Sequence, residues 1–220
     1  MKSREFKDLT FDLFAKIANS FASPKRLEII DLLTQGERDV DSLAKETNMN
    51  FANTSRHLQI LKTANLVKSR REGVRIIYYL ANSEVAKYWK NLQLLAEQTA
   101  SDIREISSLF FKERTALQPI GIDDLRNKLE NDEVTLIDVR PSEEYIQGHI
   151  PKAISFPLAE LWKNMNSLAS NKEIIAYCRG PYCVMAADAV KLLKENGFNV
   201  TLFKEDVNAW QLAGLPIEKD

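Results

Sequence analysis

Apolar residues recur at helical spacing from about Phe6 to Thr63, alternate over Leu66 to Leu80, and return to helical spacing from Ser83 to Phe111. Within the first stretch Ser23-Pro24 opens a helix, with serine as N-cap and proline at the first helical position, and Gly36 ends it. Val40 to Thr47 predicts a second helix, and after the break Asn48-Met49-Asn50 a third runs from Phe51 to about Thr63. On a helical wheel Phe51, Thr54, Leu58 and Leu61 of the third helix share the face that packs on a core, whereas Asn53, Ser55, Arg56 and Gln59 fall opposite. His57 sits at the flank beside the core face, a position that fits a structural residue. The alternating stretch predicts a β-hairpin turning at Glu72-Gly73.

Lys112 to Pro119 is polar and ends in proline, the mark of a linker. Beyond it helical and strand patterns alternate. Helices are expected over Leu125 to Leu129 and Val184 to Asn196, and strands at Val134 to Ile137, Ala153 to Ser155, Glu173 to Tyr177 and Val200 to Phe203. Such alternation predicts a largely parallel sheet covered on both faces. The expected organisation is a helix-rich module over residues 1–112, a linker over 113–119 and an α/β module over 120–220.

Charge supports this division. The chain of 220 residues has a net charge of −1, but residues 1–115 hold 19 basic against 15 acidic side chains, and residues 116–220 hold 11 against 16. Modules of opposite sign point to different partners, although a surplus of four is too small by itself to imply nucleic acid. A hydrophobic fraction of 45% with 28% charged residues excludes a disordered chain. Met1 to Asp8 lack the apolar run of a signal peptide, and no segment approaches the roughly 18 apolar residues of a membrane span. A soluble, cytoplasmic protein without a membrane partner is expected. In that reducing compartment the two cysteines are expected to be reactive or buried rather than a structural disulfide.

Two patterns carry chemistry. Two short helices, a tight break and a third helix make a helix-turn-helix arrangement. Asn53, Ser55, Arg56 and Gln59 can then donate and accept at base edges and phosphates. The hairpin that follows clusters Arg70, Arg71 and Arg75 at its tip, as a wing touching phosphate or the minor groove would. The second pattern holds both cysteines: the apolar run Ile174 to Tyr177 ends in Cys178-Arg179-Gly180-Pro181-Tyr182-Cys183, and helix-favouring sequence follows. A thiol at a strand end before a helix N-terminus sits where N–H groups and the helix dipole favour an anion. The expected consequence is a Cys178 pKa lowered from about 8.5 into the range of roughly 3.5–7.5.

Ser23-Pro24-Lys25-Arg26-Leu27, Ser55-Arg56-His57-Leu58-Gln59-Ile60-Leu61 and Ala64-Asn65-Leu66-Val67 make residues 10–95 resemble the ArsR-type winged-helix repressors. The resemblance implies a homodimer on double-stranded operator DNA, with the first and last helices of the module as interface. Trp89, Leu92, Leu95, Ile103, Ile106 and Leu109 suit such a dimer helix. Many family members sense thiophilic metals through a Cys-x-Cys where this chain has Asp39-Val40-Asp41, and Ser83 to Phe111 contains no histidine. Aspartates are poor ligands for soft metals, so no metal site is expected.

Leu136-Ile137-Asp138-Val139-Arg140-Pro141 with Glu143-Glu144-Tyr145, Gly148-His149-Ile150-Pro151-Lys152-Ala153, Tyr177-Cys178-Arg179-Gly180 and Ala209-Trp210-Gln211-Leu212-Ala213-Gly214-Leu215-Pro216 make residues 119–218 resemble the rhodanese domain. The resemblance implies Cys178 as the nucleophile that carries sulfane sulfur as a persulfide, with Arg179, Gly180, Pro181, Tyr182 and Cys183 as the substrate-binding loop. The backbone from Arg179 to Val184 is expected to form an anion nest, and Arg179 to attract an anionic donor such as thiosulfate. Asp138, Arg140 and His149 are expected to fix loops rather than touch substrate. Phosphatases and arsenate reductases of related fold use a Cys-x5-Arg loop; Val184 stands at that arginine position and disfavours their chemistry. Cys183 reads either as a small buried residue or as a resolving thiol.

The expected fold is an α+β winged helix-turn-helix domain followed by an α/β rhodanese-like domain with a mainly parallel sheet. The expected function is a transcriptional regulator, a repressor, whose DNA binding responds to sulfane sulfur delivered to Cys178 by a small donor, thiosulfate or polysulfide, without a cofactor. Two alternatives stay open: a working thiosulfate or polysulfide sulfurtransferase with an autoregulatory DNA-binding domain, and a switch based on a Cys178–Cys183 disulfide.

Overall fold

The computed structural model describes residues 2–112, 119–168 and 172–220. The expected linker, save its last residue, lies outside the described residues. By its contacts the chain falls into two units, residues 1–91 and 92–220.

The first unit runs α1 (Ser3–Phe21), α2 (Pro24–Thr34), β1 (Arg38–Asp39), α3 (Val40–Glu46), α4 (Phe51–Thr63), β2 (Val67–Glu72) and β3 (Arg75–Leu80), and takes in the first half of α5 (Ser83–Thr99). Its core joins Phe21, Ile29, Ile30, Leu33, Leu43, Leu58, Leu61, Val67, Tyr78 and Val85. Asn48 and Asn65 follow α3 and α4 in the left-handed region (φ 51° and 55°), the conformation in which asparagine closes helices. The three strands form an antiparallel sheet in the order β1-β3-β2. The short β1, invisible in the apolar pattern, pairs Arg38 with Tyr78 and Asp39 with Ile77. Because Glu72 pairs with Arg75, the hairpin turns at Gly73-Val74, one residue later than expected, with Gly73 at φ 60°.

Two expectations for the long helical stretch need correction. It is interrupted at Ala100, where α5 ends and α6 (Ser101–Lys112) begins. The Ser101 hydroxyl there bonds Asp102, the kind of local side-chain bonding that competes with helix continuation. Trp89 does not face outward as a dimer residue: it packs against the first unit's core, and its indole N–H donates to Asp31 at 2.8 Å.

The second unit continues through α7 (Ile122–Glu130), β4 (Val134–Asp138), α8 (Ser142–Gln147), β5 (Ile154–Ser155), α9 (Leu158–Asn164), a 3-10 turn (Met165–Ser167), β6 (Glu173–Tyr177), α10 (Val184–Glu195), β7 (Val200–Leu202) and α11 (Val207–Leu212). Its four strands are parallel, in the order β5-β4-β6-β7. Side chains alternate across the sheet. Ile174, Ala176 and Cys178 pack with Leu161 of α9 and with Ala186, Ala189, Val190 and Leu193 of α10. Ile175 and Tyr177 pack on the other side with Leu125 and Leu129 of α7 and with Phe203, Val207 and Trp210. The doubly covered parallel sheet expected from the sequence is the one observed.

Behind the C-terminal strand ends lies a buried ion pair. Asp138 and Arg140 have wholly buried side chains. Arg140 Nε lies 2.9 Å from Asp138 Oδ1, Nη2 donates to the Gly148 carbonyl at 2.8 Å, and the guanidinium stacks over the Tyr177 ring. His149 stacks on Tyr145 with ring centroids 3.8 Å apart, and its Nδ1 lies 2.9 Å from the Tyr145 carbonyl. All three residues fix loops, as expected. Replacing Arg140 by methionine removes one partner of a buried pair and strands the Asp138 charge, a class of change that costs about 3–5 kcal/mol. Urea unfolding followed by the fluorescence of Trp210, with Trp89 and Trp162 replaced by phenylalanine, measures this; a loss under about 1 kcal/mol would show the pair to be dispensable.

Candidate functional site

Helix α4 is capped by Asn50, whose side chain accepts from the Asn53 amide at 2.9 Å. Thr54, Leu58 and Leu61 are buried, and Asn53, Arg56 and Gln59 are exposed, with Ser55 at the margin. Phe51 departs from the wheel: it is 55% exposed. As the first residue of the helix, its Cβ tilts back toward the N-terminus and beyond the core. His57 is half-buried; burial, followed by the charges of Arg26 and Arg56, pushes its pKa down. Asp39 caps α3 by accepting from the Ser42 amide at 2.8 Å.

The wing arginines divide by partner. Arg70 pairs with Glu37 and, at 2.8 Å, with Glu72, and lies over the Tyr79 ring. Arg75 stands 3.6 Å from Asp39. Arg71 donates to the Gly73 carbonyl at 2.9 Å and forms no ion pair among the described residues. Arg56 and Arg71 therefore present charge to solvent, while carboxylates partly neutralise Arg70 and Arg75.

The second site lies where β6 leads into α10. Cys178 is 2% exposed, in the layer between the sheet and α10. The loop turns back through a Cys183 amide bond to the Gly180 carbonyl at 3.1 Å, which makes Cys183 the N-cap of α10. The Cys178 thiol thus faces Cys183, with Sγ 3.7 Å from the Cys183 carbonyl oxygen and within hydrogen-bonding reach of the Cys183 sulfur. Gly180 has φ 99°, a left-handed conformation that favours glycine, and a Cβ there would come into ordinary contact with Asp206. Asp206 itself caps α11, accepting from the Ala209 amide at 2.7 Å.

The electrostatics divide the pair against expectation. Burial pushes the Cys178 thiol well up, and the neighbouring Cys183 adds to this; the amides of Ala186 and Arg179 oppose it. The Cys183 thiol is pulled down, first by the Cys178 S–H directed at it, then by the amides of Arg179 and Met185 and the Arg179 charge. The lowering expected at Cys178 is not found, because the sequence shows the helix N-terminus but not the depth of burial.

Arg179 also departs from expectation. Its guanidinium grips the Glu144 carboxylate in α8, with Nε 3.0 and 3.1 Å from the two oxygens and Nη2 on the same group. Both side chains are largely buried. Arg179 anchors the loop rather than offering its full charge to an anionic donor. Tyr182 is half-exposed, and its hydroxyl donates to Glu97 of the same unit at 2.7 Å. Pro181 occupies the outer turn of the loop. Sequence reasoning missed Glu144 and Asp206 as loop supports; only Asp206 carried a local signal, as an acidic residue opening a helix.

Residues 23–69 match the bacterial regulatory protein arsR family, and residues 122–213 match the rhodanese-like domain. Over 213 residues the chain is 40% identical to the HTH-type transcriptional regulator Rv0324 of Mycobacterium tuberculosis, an alignment covering 97% of this chain and 93% of that relative. The chain belongs to the arsR family of regulators and ends in a rhodanese-like domain. It is a transcriptional regulator with a DNA-binding winged helix. A sulfurtransferase of Allochromatium vinosum is 28% identical over 89 residues, 40% of this chain and 81% of that protein. The homodimeric winged helix-turn-helix domain Mb0332 of Mycobacterium bovis is 38% identical, covering 46% of this chain and 91% of that one, with a TM-score of 0.42.

Arg56→Ala is expected to weaken specific binding by about 1–3 kcal/mol with little effect on non-specific DNA. Arg71→Ala should weaken binding to all sequences and lower the salt slope by about one, and Arg70→Ala by less. Fluorescence anisotropy across a salt series checks both; equal slopes for the two wing variants would contradict the division of the arginines. In the loop, iodoacetamide should label Cys183 at lower pH than Cys178. Cys178→Ala should move the Cys183 profile upward, because the side-chain donor that stabilises its thiolate is gone.

Proposed function

We propose that the protein is a cytoplasmic, homodimeric repressor whose second unit holds sulfane sulfur as a persulfide on Cys178, and that this loading alters operator affinity. The observation that carries the reading is a thiol at the C-terminal end of a buried central strand, beneath the N-terminal amides of α10, in the same chain as an operator-reading helix. An anion at that point meets the amides of Ala186 and Arg179. The resemblance to a sulfurtransferase supports sulfur as the cargo.

Dimerisation is supported by α1, which presents Phe6, Leu9, Leu13, Phe14 and Ile17 to solvent, each about half-exposed or more. Five large apolar side chains on one helix require cover. A second copy meets that need, and a two-fold dimer matches a two-fold operator.

Thiosulfate turnover is the weaker reading of the same site. A dianion needs a cation at the loop, and Arg179 is committed to Glu144. Neutral or singly charged polysulfide makes less demand on that charge.

Gel-shift titration with and without inorganic polysulfide tests the proposal. Wild type is expected to change operator affinity at least tenfold, and Cys178→Ser to bind as unloaded wild type does under both conditions. Unchanged affinity in both would sink sulfur sensing, and steady thiosulfate turnover abolished by Cys178→Ser would favour the enzyme.

A further inference from the structure

The loop holds a second sulfur that persulfide carriage on Cys178 does not use. Cys183 is partly exposed, stands at the N-cap of α10 and packs against the same core layer as Cys178. Capping alone does not call for a thiol: serine, threonine, aspartate and asparagine are the residues favoured for that task. The turn from the Cys183 amide to the Gly180 carbonyl brings it back over the strand end, and Cys178 Sγ lies 3.7 Å from its carbonyl oxygen. The left-handed Gly180 makes this return possible. The atom of a loaded Cys178 that Cys183 already faces is Sγ itself, the inner sulfur of the persulfide.

We infer that Cys183 is a resolving nucleophile that discharges the Cys178 persulfide by attacking its inner sulfur, closing a Cys178–Cys183 disulfide and expelling hydrosulfide. The inference rests on the persulfide reading above and extends it. In the step, a lone pair of the Cys183 thiolate forms the new S–S bond to Cys178 Sγ. The bond between Sγ and the outer sulfur breaks, and its electron pair leaves with that sulfur as HS⁻; its proton is that of the S–SH form of the persulfide, which the anionic form takes up from water before the attack. The sulfane sulfur is reduced to sulfide while the two cysteine sulfurs are oxidised to a disulfide, so no outside oxidant is needed. Thiolate attack with departure of a weaker base is the ordinary course of thiol–disulfide exchange. The pull of the Cys178 S–H and nearby amides on Cys183 is consistent with its role as attacking thiolate. Attack on the outer sulfur would only move the persulfide between the two cysteines.

The consequence is that loading is transient. A polysulfide pulse leaves a closed loop that only a reductant reopens, so the site records sulfane sulfur as a disulfide and releases the sulfur as sulfide.

The test loads the full-length protein with inorganic polysulfide under anaerobic conditions, removes excess donor, and follows sulfide release and intact mass. Wild type is expected to release about one sulfide per site and to finish two hydrogens lighter, with both cysteines closed to alkylation until reduced. Cys183→Ser should retain one extra sulfur on Cys178 and release at least tenfold less sulfide. Serine is a favoured N-cap, so this variant keeps α10, and Cys183→Ala provides a second check. Wild type that retains its added sulfur, as a persulfide or a sulfur-bridged pair, would overturn the inference while leaving the persulfide reading intact. A Cys183→Ser protein that takes up no sulfur would overturn both.

Discussion

Strand β6 is buried on both faces, and the chemistry of the second unit follows from that. Ile174, Ala176 and Cys178 fill one core layer, while Ile175 and Tyr177 fill the other. The alternation leaves no choice about where the strand-end thiol points: it enters the layer beneath α10. Burial disfavours its anion, and the helix amides favour it. A hydrogen bond to a charged group contributes about 1.5–3 kcal/mol, and one pKa unit corresponds to about 1.4 kcal/mol, so one or two amides offset about one to four units of burial. A second sulfur enters the contest: Cys183 is less deeply buried, meets the amides of Arg179 and Met185, and accepts a hydrogen bond from the Cys178 S–H.

Charge in both units goes largely to structure. Asp138 with Arg140 and Glu144 with Arg179 tie the loops at the strand ends to the sheet and to α8. Glu37, Asp39 and Glu72 hold Arg70 and Arg75 across the small antiparallel sheet. Of the described arginines on the reading helix and the wing, Arg56 and Arg71 form no ion pair. A basic residue near a site therefore identifies a binding group only once its carboxylate partners are known. This is why the modest basic surplus of the first half was a weak guide and the placement of two arginines a better one.

Features set by local pattern were legible in the sequence. Helix Phe51–Thr63 and strand Glu173–Tyr177 lie where periodicity placed them. The order of helices and strands in the second half was sufficient for the parallel sheet, because crossover connections bury both faces. Features that depend on distant partners were not legible. Trp89 looked like a dimer residue until Asp31, 58 positions away, claimed its indole N–H. Glu144 lies 35 positions from Arg179 and gave no sign of being buried. Strand β1 is two residues long and charged; only its pairing with β3 makes it a strand.

The same distinction explains why Cys178 was found from sequence and its chemistry misassigned. A strand-to-helix transition is a local pattern and locates the anion site to within a few residues. Which of two sulfurs five positions apart along the loop holds the charge depends on burial and on the fold of the intervening turn. Gly180 supplies that turn, since its φ of 99° is a conformation that other side chains rarely adopt. The short loop then places both thiols at one helix N-terminus. Two nucleophilic sulfurs that share one anion site are in competition: when one carries the charge, the other is held as thiol. Converting Cys178 to a persulfide changes that competition, because it makes the buried sulfur electrophilic while its neighbour remains the nucleophile.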